Sequence, residues 1–268
     1  MTSTSGIARI HTIKSGAPQL FLNHGVTDNA ASLAAAHRHW RNDYDVTSID
    51  ARGHGLSAHF SPAELNDPVG VMVKDLITIL EGREHSTALI LIGHSMGGAV
   101  AAAAAAQRPD LVDALVLEEP AWLSEDQRTA YSNDAPALAT RMAWISDHPD
   151  KALTENRELY PAWDLEESCA WLQGKVQVDR DFVRTGYVSP HTSWKETASV
   201  LTMPTLLVTS DGDDVLLGVD GLQAVHSLGN TMIRTTLVPG ASHCVRRDQS
   251  EGFYAVCDSF LKRSSHDI

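Results

Sequence analysis

Three short stretches of this chain carry residue types that could together activate a nucleophile. They are Gly93-His94-Ser95-Met96-Gly97, Ser210-Asp211-Gly212-Asp213-Asp214, and Pro239-Gly240-Ala241-Ser242-His243. A serine hydroxyl is a weak nucleophile near neutral pH. It becomes effective when a base lies within hydrogen-bond reach and a carboxylate orients that base. Ser95 has the right setting: residues 87–98 run from an apolar stretch through a sharp turn into an alanine-rich segment, with the serine at the apex. The backbone at such an elbow is crowded, so the positions two before and two after the serine must lack side chains. Gly93 and Gly97 meet that demand. The helix start behind the serine offers free N–H groups to a developing negative charge.

The elements that must position these residues follow from hydrophobic patterning. Short apolar strands are expected at 8–14, 19–23, 46–50, 88–92, 114–118, 205–209 and 233–238. The runs at 89–92 and 206–208 are apolar without alternation, as in strands buried on both faces. Helical spacing appears at 30–41 and 69–80, the second through Val69, Val73, Leu76, Ile77 and Leu80. The alanine run 99–106 reads as a helix packed close to a sheet and ends at Arg108-Pro109. A last helix is expected over 249–263. Strands alternating with helices predict a mainly parallel sheet covered by helices. The acid cluster and His243 then both leave the carboxyl ends of strands, the edge where such sheets place ligands. Residues 122–194 break the rhythm: they show helix-like pieces, several prolines and no convincing strand. Much of the chain's aromatic content falls there, including Trp122, Tyr131, Tyr160, Trp163, Trp171 and Trp194. Any one of these rings could simply pack the segment onto the core. Together they suggest a pocket for an apolar or aromatic substrate.

With Ser95, the acid loop and His243 in that order, the sequence resembles the α/β-hydrolase family over residues 8–261. The resemblance implies an α/β fold with a mostly parallel central sheet flanked by helices, a core formed by 1–121 and 195–268, and an inserted helical lid at 122–194. It makes Ser95 the nucleophile and His243 the base. The family pattern G-x-x-D is matched by Ser210-Asp211-Gly212-Asp213, with Ser for Gly, which points to Asp213 as the acid and leaves Asp211 and Asp214 as solvated neighbours. Glu118 and Glu119 are rivals, because some members, including lactonases acting on resorcylic macrolides, take the acid from that earlier strand end. Asn23-His24-Gly25-Val26 is similar to the family's oxyanion loop, which implies that the backbone N–H groups of Val26 and Met96 hold the oxyanion. The segment from Asp50 to Ser57 is similar to the D-x-R-G-H-G-x-S turn that braces the site, so His54 reads as structural. His24 and His94 flank the site without matching the family's base. The Gly-Ala-Ser-His ending at His243 departs from the commoner G-x-G-H. Epoxide hydrolases and haloalkane dehalogenases are disfavoured, since they need an Asp where Ser95 stands.

Composition narrows the partners. A net charge of −13 and a pI near 5.3 argue against nucleic acid or an anionic membrane surface. No apolar run approaches a membrane span, and residues 1–6 have neither the basic nor the apolar region of a secretory signal. Three cysteines, Cys169, Cys244 and Cys257, fit reduced thiols better than a disulfide framework. The histidines are scattered, and no metal site or organic cofactor is expected. The sequence therefore predicts a cytoplasmic serine hydrolase, carboxylesterase or lactonase, that cleaves a small apolar or aromatic ester or lactone through an acyl-enzyme. C–C bond hydrolysis and cofactor-free perhydrolysis use the same triad, and a slow-turnover small-ligand receptor uses the same fold. The oligomeric state, monomer or homodimer, stays open.

Overall fold

Strand residues of alternating parity send their side chains to two separate cores. Leu89 and Leu91 join one cluster, while Ile90 and Ile92 join the other. The sheet between them is described in a computed structural model covering residues 6–84 and 86–264, so residues 1–5 and 265–268 of the expected core, and with them most of the segment without signal character, lie outside the described residues. In chain order the strands are β1 (Arg9–Thr12), β2 (Gln19–Asn23), β3 (Asp45–Ile49), β4 (Leu89–His94), β5 (Ala114–Glu118), β6 (Thr205–Thr209) and β7 (Ile233–Leu237). The helices are α1 (Ala34–Trp40), α2 (Pro68–Glu81), α3 (Met96–Gln107), α4 (Glu125–Asp147), α5 (Pro149–Leu159), α6 (Leu165–Gln177), α7 (Arg180–Thr185), α8 (Trp194–Ser199), α9 (Gly218–His226), α10 (Val245–Asp248) and α11 (Ser250–Ser264).

The sheet order is β1-β3-β2-β4-β5-β6-β7, parallel throughout except that β1 runs antiparallel to β3. This is the expected α/β architecture. The chain reverses its direction of winding between β2 and β4. A crevice opens at such a switch point beyond the strands' carboxyl ends, and the loop after β2 and the turn after β4 both start there.

One core lies beneath α2 and α3 and includes Phe21, Leu115, Leu117 and Leu207; the other packs Leu20, Leu22, Val116 and Val208 against Trp40 of α1 and Phe253 and Phe260 of α11. α3 is buried on every side, Ala101, Ala102 and Ala105 being fully inaccessible. Only alanine combines high helix propensity with a side chain small enough for that closeness.

Three boundaries differ from the sequence pattern. β1 is shorter than 8–14 because it is an exposed edge strand that pairs on one side only. The helix expected over 30–41 starts as a 3₁₀ turn, Ala30–Leu33, capped reciprocally by Asn29 and Ser32, before α1 begins. α9 was not legible, its start carrying Gly218 and Gly221. Between β5 and β6 the chain forms α4–α8 and no strand, as the composition of 122–194 suggested. Among the described residues no helix is long and apolar enough to cross a membrane.

Candidate active site

Ser95 sits between β4 and α3 with φ of 52° and ψ of −119°, a conformation costly for any residue with a side chain. Its surroundings hold it there. Ser95 N–H donates to Glu118 O (3.0 Å), and Ser95 O accepts from Ala99 N–H (3.0 Å) and Ala121 N–H (2.9 Å). The flanking glycines act as the sequence required. A Cβ on Gly93 would lie 2.5 Å from Gly97 O, and one on Gly97 would lie 2.4 Å from His24 O. The turn therefore closes only with hydrogen at both positions.

The N–H groups of Val26 and Met96 donate to no protein acceptor among the described residues, so both are free to receive an oxyanion. Two neutral histidines shape the loop that carries Val26. His24 Nδ1 donates to Gly25 O (2.8 Å) while its Nε2 accepts from Ala51 N–H (3.0 Å). His54 Nδ1 donates to Arg52 O (3.0 Å) while its Nε2 accepts from Thr27 N–H (3.3 Å). Each ring must keep one nitrogen unprotonated to accept, and burial lowers both pKa values, that of His54 to about 3. Asp50 completes the brace by accepting from Ala30 N–H (2.6 Å) and Leu56 N–H (2.9 Å). His54 thus holds backbone.

His243 follows β7. Its N–H donates to Asp214 Oδ1 (2.9 Å), and its carbonyl accepts from His94 Nε2 (3.1 Å). The imidazole shares one pocket with Ser95, Gly25 and Val26. The acid beside it is Glu119: Oε2 lies 3.3 Å from His243 Nδ1. Glu119 is fully buried, just past β5, in the left-handed region with φ of 44°. Its carboxylate also accepts from the Thr209 hydroxyl and from Leu216 N–H.

The expectation for Asp213 is corrected by this geometry. Asp213 is exposed, and the carboxylates hydrogen-bonded to His243 among the described residues are Asp214, at its N–H, and Glu119, at its imidazole. The reason lies in Ser210, the residue standing in for glycine. Its buried hydroxyl donates to Val238 O (2.6 Å) and accepts from Ala241 N–H (3.0 Å), which binds the two loops together. Asp211 and Asp214 then turn to backbone N–H groups of Gly240 and His243, and Asp213 faces water. The other rival, Glu118, is buried against Arg246, accepting from its Nη1 (3.0 Å) and its N–H (2.7 Å). Burial opposes charge on Glu118, but Arg246 and His94 outweigh it and the pKa is lowered.

The pocket encloses about 210 Å³. Tyr131, Tyr160, Trp163 and Trp171, all from the segment between β5 and β6, line it. It also holds charges that the sequence pattern did not single out: Asp28, Lys175 and Arg247. Burial opposes charge on Asp28, yet Arg247, Lys175 and Arg246 more than offset this and keep its pKa well below the ordinary carboxylate range. Lys175 moves the other way, its pKa lowered mainly by burial. The one available signal was the pair Arg246-Arg247 so close behind His243.

Comparison with known proteins places these features in a family. An uncharacterized protein of Mycobacterium tuberculosis strain H37Rv is 30% identical over 125 residues, 45% of this chain and 34% of that one. Esterase YbfF of Escherichia coli is 34% identical over 100 residues, 36% of each chain. The matches thus span about a third of these relatives' length. Among solved structures, the enol-lactonase from Burkholderia xenovorans LB400 superposes with a TM-score of 0.76 over 96% of both chains at 16% identity, which shows a shared fold. A family model described as serine aminopeptidase, S33, matches residues 17–250. With the elbow, the switch-point crevice and this match over most of its length, the chain belongs to that family of α/β hydrolases.

Proposed function

We propose that Ser95, His243 and Glu119 form the catalytic triad of a serine hydrolase acting on a small carboxylic ester or lactone. The observation that carries this reading is Ser95, strained at a sharp elbow and facing a pocket it shares with an imidazole seated on a buried carboxylate. His243 takes the hydroxyl proton as Ser95 attacks the substrate carbonyl. Glu119 keeps the imidazole in the Nδ1–H tautomer and stabilises the imidazolium that forms. The oxyanion receives the N–H groups of Val26 and Met96; loss of one such donor typically costs about 3 kcal/mol of transition-state stabilisation. The imidazolium then protonates the leaving alkoxide. Water, activated by the same histidine, cleaves the acyl-enzyme and restores Ser95.

The helical segment between β5 and β6 serves as the lid, and its aromatic wall receives the apolar or aromatic part of the substrate. Aromatic or medium-length acyl esters are therefore expected to outperform acetyl esters. The test is time-resolved hydrolysis of aryl esters and lactones by the wild type and Ser95→Ala, with fluorophosphonate labelling of Ser95. A burst followed by steady turnover, both lost in Ser95→Ala, supports the reading. Labelling of Ser95 without turnover of any ester or lactone would overturn it in favour of a ligand receptor or a different scissile bond.

A further inference from the structure

The charged side of the pocket is built more elaborately than an apolar substrate requires. Three cations converge on the single carboxylate of Asp28. Arg247 Nη2 is 3.4 Å from Oδ2, Lys175 Nζ is 3.6 Å from Oδ1, and Arg246 Nη2 is 4.0 Å from Oδ2. None of these contacts has hydrogen-bond geometry. Asp28 Oδ1, Arg246 Nη2 and Arg247 Nη2 are consequently buried without hydrogen-bond partners. Buried donors without partners are costly, and native structures keep few of them without a use.

The cations are held in place from behind. Arg247 Nε donates to Glu167, and its guanidinium lies 4.9 Å from the centre of the Trp163 ring. Lys175 spends two of its three donors on Thr27, at the carbonyl (3.1 Å) and the hydroxyl (2.7 Å), with Trp171 at 5.6 Å. The Arg247 side chain is 4% exposed and that of Lys175 is 14% exposed, so little water remains to be displaced from either. The carboxylates that balance Arg246 and Arg247, Glu118 and Glu167, do not line the pocket. Asp214, which does, is already engaged by His243 N–H.

From this arrangement we infer that Arg247 and Lys175, gathered by Asp28, form a carboxylate-binding subsite, and that the substrate is a small ester or lactone bearing a second, free carboxylate. The inference rests on the hydrolase reading for the reacting bond but not for the binding site. Arg247 Nη2 and the third N–H of Lys175 are the donors for the incoming carboxylate, and a planar two-oxygen group suits a guanidinium edge. Asp28 keeps the two cations together before the substrate arrives. A bound anion opposes the burial that lowers the Lys175 pKa.

The experiment has two arms. In Ser95→Ala, which cannot turn over an ester by this mechanism, binding of monomethyl glutarate, methyl glutaramate and methyl pentanoate is followed by calorimetry. In the wild type, kcat/KM is compared for monomethyl glutarate, its carboxamide analogue methyl glutaramate, and methyl pentanoate. The expected result is a preference for the carboxylate of about 10- to 100-fold in both arms, the size of one charge-assisted hydrogen bond. Arg247→Gln and Lys175→Gln, each checked for folding by circular dichroism, should shrink that ratio. Equal or tighter binding of methyl pentanoate or methyl glutaramate by Ser95→Ala would overturn the subsite, whatever the variants do. Preferential binding of monomethyl glutarate without turnover of any ester by the wild type would leave the subsite standing and sink the ester reading instead.

Discussion

Replacing Glu119 by Gln separates charge from shape at the position that departs from the sequence expectation. The amide oxygen can take the place of Oε2, accepting from Leu216 N–H and from His243 Nδ1 as the carboxylate does. The amide nitrogen then faces the Thr209 hydroxyl, which already accepts from Gly218 N–H at 3.0 Å and can rotate to accept again. The fold loses one hydroxyl bond, worth about 1 kcal/mol. Catalysis loses far more. The imidazolium formed during the reaction no longer meets a negative charge 3.3 Å away in a buried site. Neutralising the acid of such a triad lowers kcat by about 10⁴, equivalent to about 5.5 kcal/mol at the transition state. Asp213→Asn, at an exposed side chain, should leave kcat within about twofold. The assay is steady-state aryl ester hydrolysis beside urea unfolding, so that lost activity is not mistaken for lost protein. An inactive, folded Asp213→Asn beside an active Glu119→Gln would refute the reasoning.

Three further outcomes are expected. His54 is neutral in the fold with its pKa lowered to about 3, whereas in the unfolded chain it titrates near 6.5. The unfolded state therefore binds the extra proton between those values, and this stability is complete above pH 6.5 and shrinks as pH falls toward 3. The loss at pH 5 is about 2 kcal/mol, visible in urea unfolding and reduced in His54→Gln; a pH-independent free energy between 7 and 5 would contradict it. Ser95→Gly should melt higher than Ser95→Ala, because only glycine relieves a φ of 52°, by about 1 kcal/mol after its own entropy cost; identical melting temperatures would show that the elbow stores no strain. Gly97→Ala places a Cβ 2.4 Å from His24 O, so it should cost about 3 kcal/mol or more and slow fluorophosphonate labelling of Ser95. Wild-type stability and labelling in that variant would count against the close approach.

The elbow was legible because its constraints are local: two glycines, a preceding apolar run and a following helix leave one conformation for Ser95. The structural role of His54 was legible through the resemblance of the segment from Asp50 to Ser57 to a known bracing turn. The acid was not, because the choice between Asp213 and Glu119 depends on where two loops meet. That meeting is decided by the Ser210 hydroxyl bridging to Val238 and Ala241, whose partners lie about thirty residues away. Glu118 and Glu119 at the end of an otherwise apolar β5 were the signal that made them rivals: Glu119 stands in a dry environment and must find donors there, which Thr209 and Leu216 provide. Asp28, Lys175 and Arg247 converge from a loop, α6 and α10, and no periodicity reports such a convergence.

Mounting the proposed acid beyond β5 instead of β6 changes how the site behaves as a mechanism in the engineer's sense. Ser95 and Glu119 stand on neighbouring rails, coupled at the strand ends by Ser95 N–H to Glu118 O and by Ala121 N–H to Ser95 O. They move as one block. Only His243 rides on a separate bracket, bolted to the block through His94 and to the adjoining loop through Asp214. Misalignment of the site therefore reduces to the play in a single joint. Random changes that loosen the bracket should dominate among variants that lose activity while keeping their fold.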